Sequence, residues 1–251
     1  MSVRRSFDVA GVDGCRGGWL VAIATVTVAG CRAGRISFEL KRLVVAGAFA
    51  ELLTETVSCR MVCVDIPIGL SEGPEPRQCD VAARRLLGRQ RASSVFPPPL
   101  RQCLTAADYR SACRICTKYS ARKLSRQSYL IMDKIAQVDG LMTAELQNRV
   151  REVHPEVSFQ ALNANEPLHY SKRSPAGRRE RMDLLARVFS NVEDIVASGR
   201  EAGRVASDDI LDSLVAAWTA GRAVTGRVVT LPDSPEPDGK GLRMEILYPQ
   251  V

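Results

Sequence analysis

The chain has 251 residues, 45% of them apolar and 25% charged, which is enough to bury a full core as a single domain over residues 1–251. No apolar run reaches the length of a membrane span, no export segment opens the sequence, and the eight cysteines are scattered, so membrane-spanning and disulfide-built secreted classes are excluded. A cytoplasmic protein with reduced thiols is expected. The net charge of +7 is concentrated: Arg77 to Arg126 holds twelve Lys or Arg against two Asp or Glu. Such a segment suits a polyanion such as nucleic acid, or else forms a solvated Arg-rich helical surface.

Phe7–Asp13 reads as an apolar strand, followed by the glycine-rich turn Gly14-Cys-Arg-Gly-Gly18. Trp19–Val28 is β-branched enough to pair back as a hairpin, and Ile36–Val45 gives a third strand. Ala46–Val57 reads as a helix, and Met61–Ile66 as a short buried strand of the parallel type. From about residue 71 to 143 the pattern changes to a basic helical insertion, with helices expected at Cys79–Leu87, Ala106–Lys118 and Leu124–Val138. A strand follows at Val150–His154, stopped by Pro155, then helices at Gly177–Phe189, Val192–Gly199 and Asp208–Val224. Val228–Leu231 and Leu242–Leu247 suggest a terminal strand pair. Three early strands with a hairpin, then alternating helices and parallel-type strands, predict an α/β fold with a ribonuclease-H-like mixed sheet.

Four acids carry the chemical signal. Asp13 and Asp65 each end an apolar strand, at the carboxyl edge where open α/β sheets present ligand groups. Either alone reads equally as a turn former, but two on adjacent parallel strands would share an ion. Asp209 and Asp212 lie one helical turn apart, with Ile210, Leu211, Leu214, Ala217 and Trp218 roughly opposite. They are expected on the face turned away from the core, either as ligands or as acids favoured by the helix dipole. Carboxylates brought together repel unless cations neutralise them, so the set points to divalent metal.

Glu152 is a fifth candidate, as ligand or orienting base, against the alternative of a paired surface charge. His154, just before a proline, reads by default as structural. The turn glycines Gly14, Gly17 and Gly18 lead into a strand, a context in which neither a Walker loop nor a dinucleotide fingerprint occurs. Cys113-Arg-Ile-Cys116 with Cys103 lacks a second paired motif for zinc. Arg77, Asp80 and Arg84 share one helical face, where they would pair with one another or reach a phosphate.

The ordered set Gly11-Val-Asp-Gly-Cys-Arg-Gly-Gly-Trp19, Val64-Asp-Ile-Pro-Ile-Gly-Leu70, Arg77-Gln-Cys-Asp80, Ser94-Val-Phe-Pro97, Glu152-Val-His-Pro-Glu-Val-Ser-Phe159 and Asp208-Asp-Ile-Leu-Asp212 resembles a bacterial and archaeal family of predicted ribonuclease-H-like nucleases. The resemblance runs from about residue 8 to 225. It implies that Asp13 is the first-strand acid of such enzymes, Asp65 the fourth-strand acid, and Asp209 and Asp212 the Asp-x-x-Asp pair of RuvC-type resolvases. Those resolvases usually carry Glu on the fourth strand, where this chain has the shorter Asp65. The implied mechanism is phosphodiester hydrolysis with two Mg²⁺ or Mn²⁺ ions about 4 Å apart, on DNA or RNA. Arg16, Arg77 and Arg84 would then contact substrate phosphates. The alternatives are a non-catalytic nucleic-acid- or protein-binding domain and an actin-like phosphotransferase, whose core opens with the same three strands.

Overall fold

A computed structural model describes residues 4–30, 35–121, 123–201 and 205–250. β1 (Arg4–Cys15), β2 (Gly18–Ala29) and β3 (Arg35–Ala46) form the antiparallel part of a five-stranded sheet. β4 (Met61–Val64) runs parallel to β1 and β5 (Val150–Glu152) parallel to β4, giving the order β3-β2-β1-β4-β5. This mixed sheet flanked by helices is the layout expected of a ribonuclease-H-like fold. The β1–β2 hairpin is tight, with Cys15 opposite Gly18. Gly18 has φ +133°, and a Cβ there would stand 2.1 Å from the Ala46 carbonyl oxygen, so glycine is required.

The two sheet faces are buried by different helices. On one lie α6 (Pro155–Leu162), α7 (Pro175–Leu185), α8 (Val192–Glu201) and α9 (Ser207–Val224), in a core that includes Val9, Cys63, Phe189, Leu211 and Leu214. On the other, α1 (Phe49–Glu55) and α5 (Met132–Leu141) pack against Val12, Trp19 and Val64. Gln137 on α5 joins this layer: its Oε1 accepts from Trp19 Nε1 at 3.2 Å and from the Phe49 backbone N–H at 3.0 Å.

Between β4 and β5 the chain forms α2 (Gln78–Arg91), α3 (Tyr109–Ser120), α4 (Arg126–Leu130) and α5. α3 and the loops beside it enclose a small core of Leu100, Cys103, Cys116 and Leu124. Arg85, Arg89, Arg110, Arg114, Lys118 and Arg126 are exposed on these helices, whereas Arg101 is drawn into ion pairs with Glu72, Asp139 and Asp238. Arg122 lies outside the described residues. Among the described residues no helix is long and apolar enough to cross a membrane.

Three sequence expectations shift. The helix expected over 124–138 is two, α4 and α5, meeting at Ile131. β5 stops at Glu152, and Pro155 begins α6 instead of merely ending a strand, because proline at the first helical position loses no intrahelical bond. The terminal pair joins β6 (Val228–Leu231) to β7 (Ile246–Pro249), while Leu242 is buried in the α1/α5 core.

Candidate metal centre

Strand alternation sets Val9, Gly11 and Asp13 on the sheet face that α9 covers. The Asp65 N–H donates to the Val12 carbonyl at 2.9 Å, extending the parallel pairing one residue past β4. Asp65 therefore follows Cys63 onto the same face, beside Asp13. α9 reaches them because β1 carries no side chain at Gly11, where a Cβ would lie 2.0 Å from the Ala217 amide nitrogen and 2.1 Å from the Ser213 carbonyl oxygen. The first turns of α9 then bring Asp209 and Asp212 to the carboxyl edge. The Asp209 carboxylate also accepts the Ala206 N–H at 3.3 Å, the return half of a capping box.

All four acids feel one another. Burial holds the Asp13 carboxyl well above the usual range, and Asp65, Asp212 and Asp209 each push it further. Burial, then the charge of Asp212, lifts Asp65 to about 7. Burial also raises Asp209 and Asp212. The sequence placed Asp212 on an unpacked helix face, but its residue is only 2% exposed. α9 is enclosed on nearly every side, by the sheet and by α6, α7 and α8, so its polar face is interior too.

The counter-charge comes from Lys172, whose Nζ donates to Asp212 Oδ2 at 2.8 Å and is raised chiefly by that partner. Its loop is pinned. Ser174 bonds back to the Ser171 carbonyl, and Gly177 packs so close that a Cβ would stand 2.0 Å from the Ser171 carbonyl oxygen. Even so, no three of the four acids bring carboxylate oxygens all within 4.8 Å of one another.

Asp13, Asp65, Lys172, His154 and Glu156 line a cleft of about 670 Å³ with Ser94, Phe96, Gln127 and Arg173 on its other walls. Burial keeps the His154 ring neutral at ordinary pH, and its Nε2 lies 3.4 Å from the Ser94 carbonyl oxygen. Glu156 sits in the first turn of α6, with Oε1 bound to Arg181 Nη2 at 2.5 Å. Lys172 and Glu156 were not singled out from sequence. The lysine lies in a polar loop with no periodic signal, and Glu156 follows a proline in a stretch where the sequence pattern predicts no helix.

Glu152 and Asp80 line the same cleft, but Glu152 leaves the sheet on the face opposite the four acids. Its register partner Val64 faces the α1/α5 core, so Glu152 points to the opposite side of the sheet from Asp13 and Asp65. Its Oε2 accepts from Arg77 Nη2 at 2.5 Å and from the Ile68 N–H at 2.6 Å. Arg77 also lies 3.7 Å from Asp80. Cys79, Asp80 and Glu152 are the one trio of His, Cys, Asp or Glu among the described residues with ligand atoms all within 4.8 Å. A permanent guanidinium already supplies their counter-charge. At 2% exposure Arg77 is an interior ion-pair partner and not a surface contact for phosphate, which corrects that expectation.

Arg84 is exposed on α2, but its Nη1 donates to the Val95 carbonyl at 2.9 Å and ties the helix to the next turn. Arg16 is exposed at the hairpin tip, on the same sheet edge as Asp13. Cys103 and Cys116 are buried packing residues, and burial raises the Cys103 thiol to about 11. With Cys113 they form no trio of close ligand atoms.

The fold and this edge define an α/β protein with a mixed five-stranded sheet and a carboxylate cluster where its parallel strands end. The chain belongs to the family described as "Protein of unknown function (DUF429)", whose pattern matches residues 11–237 and so takes in all four acids, Glu156 and Lys172. No curated protein and no solved structure matches it.

Proposed function

We propose that this protein is a divalent-cation-dependent nuclease that hydrolyses phosphodiester bonds. The observation that carries the reading is the meeting of Asp13, Asp65, Asp209 and Asp212, drawn from three distant segments, with Lys172 as the cation paired to them. Burial raises all four carboxyls, so four acids facing one ammonium hold protons that divalent cations would displace. Their donor set is all oxygen, which fits hard ions such as Mg²⁺ or Mn²⁺.

Asp13, Asp65, Asp209 and Asp212 would hold the ions. When bound, such ions polarise phosphoryl oxygens and lower the pKa of water so that it attacks at neutral pH. The chain's own groups supply the rest. Lys172 balances Asp212 before cations arrive. His154, whose charged form burial disfavours, lines the cleft as a polar group beside Glu156. The exposed cations of α2 to α4 supply a positive field for a phosphate backbone beyond the cleft.

The test is a Mn²⁺-dependent cleavage panel over single strands, duplexes, RNA–DNA hybrids and branched DNA, with Asp13→Asn and Asp65→Asn beside the wild type. Cleavage by the wild type alone is expected. Equal activity in all three proteins would overturn the site. The second reading, a non-catalytic nucleic-acid binder, rests on the exposed basic face of α2 to α4. Binding that survives chelation and the double Asp13/Asp65 substitution, with no cleavage, would favour it. Tight, specific ATP binding would instead revive the phosphotransferase alternative.

A further inference from the structure

Glu156 is 5% exposed, yet it lines the cleft that holds Asp13 and Asp65. Its two oxygens are used differently. Oε1 is bound to Arg181, itself buried and fixed through Nη1 to the Gly177 carbonyl at 3.0 Å. Oε2 is buried and has no hydrogen-bond partner among the protein's groups. A buried carboxylate oxygen without a donor is costly and calls for a partner of opposite charge. Arg181 reaches Glu156 through Nη2 alone: its Nη1 donates to the Tyr170 and Gly177 carbonyls, and its Nε, like Glu156 Oε2, is buried with no partner.

Glu156 shares its cleft with Asp13, Asp65 and Lys172. The charge of Glu156 raises both Asp65 and Asp212, the two acids that Lys172 also addresses. Glu156 and Lys172 line that cleft together, and both are tied to the start of α7: Arg181 donates to the Gly177 carbonyl, and the Ser171 backbone packs on Gly177. A carboxylate with one oxygen clamped by arginine is pre-oriented and loses little freedom when its other oxygen is engaged.

We infer that Glu156 is a fifth carboxylate ligand of this site, taking a divalent cation through Oε2 on the Asp65–Asp212 side, with Arg181 as its positioning residue. This rests on the metal-site part of the proposed function and not on nuclease activity. It assigns the Glu152-Val-His-Pro-Glu156 segment a role through its last residue, where the sequence pointed to its first.

Direct Mn²⁺ titration of the full chain by calorimetry tests it, with the Mn²⁺-induced rise in melting temperature as a second readout. Glu156→Gln keeps a neutral acceptor for Arg181, and Glu156→Asp keeps the charge but withdraws it. Both are expected to weaken Mn²⁺ binding at least about tenfold, the scale seen when a metal ligand's surroundings are disturbed. Both should also shrink the Mn²⁺-induced rise. If Glu156 only braces Arg181, the substitutions lower the melting temperature without metal and leave Mn²⁺ affinity unchanged, which overturns the inference. A wild type that binds Mn²⁺ through Glu156 but cleaves nothing would sink the nuclease reading alone. A wild type that binds no Mn²⁺ would sink both.

Discussion

Gly11 and Ala217 are in backbone contact: a Cβ on Gly11 would stand 2.0 Å from the Ala217 amide nitrogen. Because Ser213 and Ala217 press on β1 there, the turn of α9 that carries Asp209 and Asp212 comes to rest beside Asp13. The obstacle to any side chain is helix backbone, which cannot swing aside as a flexible side chain would.

Gly11→Val is therefore expected to push α9 off the sheet, at a cost of about 3 kcal/mol or more, the upper end of overpacking penalties. Denaturant melts would show a lower midpoint. Mn²⁺ binding should fall with it, since the acids of α9 would part from those of the strands. A variant with wild-type stability and Mn²⁺ affinity would show that this contact does not set the site.

Lys172→Met removes the ammonium from Asp212 while keeping much of the side chain's packing. The lysine side chain is 44% exposed, so solvent screens the pair, and the loss without metal should be modest, about 1 kcal/mol. With the competing cation gone, Mn²⁺ should bind more tightly and raise the melting temperature by more than it does in the wild type. Weaker Mn²⁺ binding in Lys172→Met would mean that the lysine supports the ions instead of standing in for them.

Without divalent ions, stability should fall as pH rises. An acid whose folded pKa lies above its unfolded value near 4 holds its proton more tightly when folded. Its contribution is complete below that unfolded value and is lost as pH climbs through the folded one. For Asp65 this window runs from about 4 to about 7, and Asp13 and Asp212 shift in the same direction. Melting temperatures in chelator at pH 5 and 7.5 should show the decline, and Mn²⁺ should reduce or reverse it at the higher pH. A rise towards neutral pH in chelator would contradict the assigned burial of these acids.

Glu152→Gln separates the two acid clusters. It leaves Arg77 buried with only Asp80 beside it, so stability should drop by about 1–3 kcal/mol. Mn²⁺ affinity should stay close to wild type, because Glu152, although it lines the same cleft, is held by Arg77 on the other face of the sheet. A loss of Mn²⁺ binding comparable to that of Asp13→Asn would restore Glu152 to the metal centre.

Much of this was legible along the chain because strands and helices write their period into the residues that make them. The apolar runs ending in Asp13 and Asp65 marked the carboxyl edge where both acids sit, while their shared face followed from the register of β4 against β1. The aliphatic stretch after Ser207 marked α9 in the same way. Local pattern misled where a second layer intervened. Asp212 looked solvent-facing because helical periodicity reports only the first packing surface, and α6 and α7 supply another. Arg77 looked like a phosphate contact because a sequence does not state whether a charged side chain points inward to a partner seventy-five residues away.

The sequence by itself determined the α/β class, the order of the strands and the two strand-end acids, all products of short-range periodicity and turn chemistry. Only the tertiary structure decided which charges meet. It placed Lys172 against Asp212, set Glu156 on the cleft wall with one oxygen unpartnered, and paired Glu152 with Arg77 on the opposite face of the sheet. Those choices depend on where helices dock on the sheet, at Gly11 and Gly177 above all, and docking is set by long-range packing that no local pattern records.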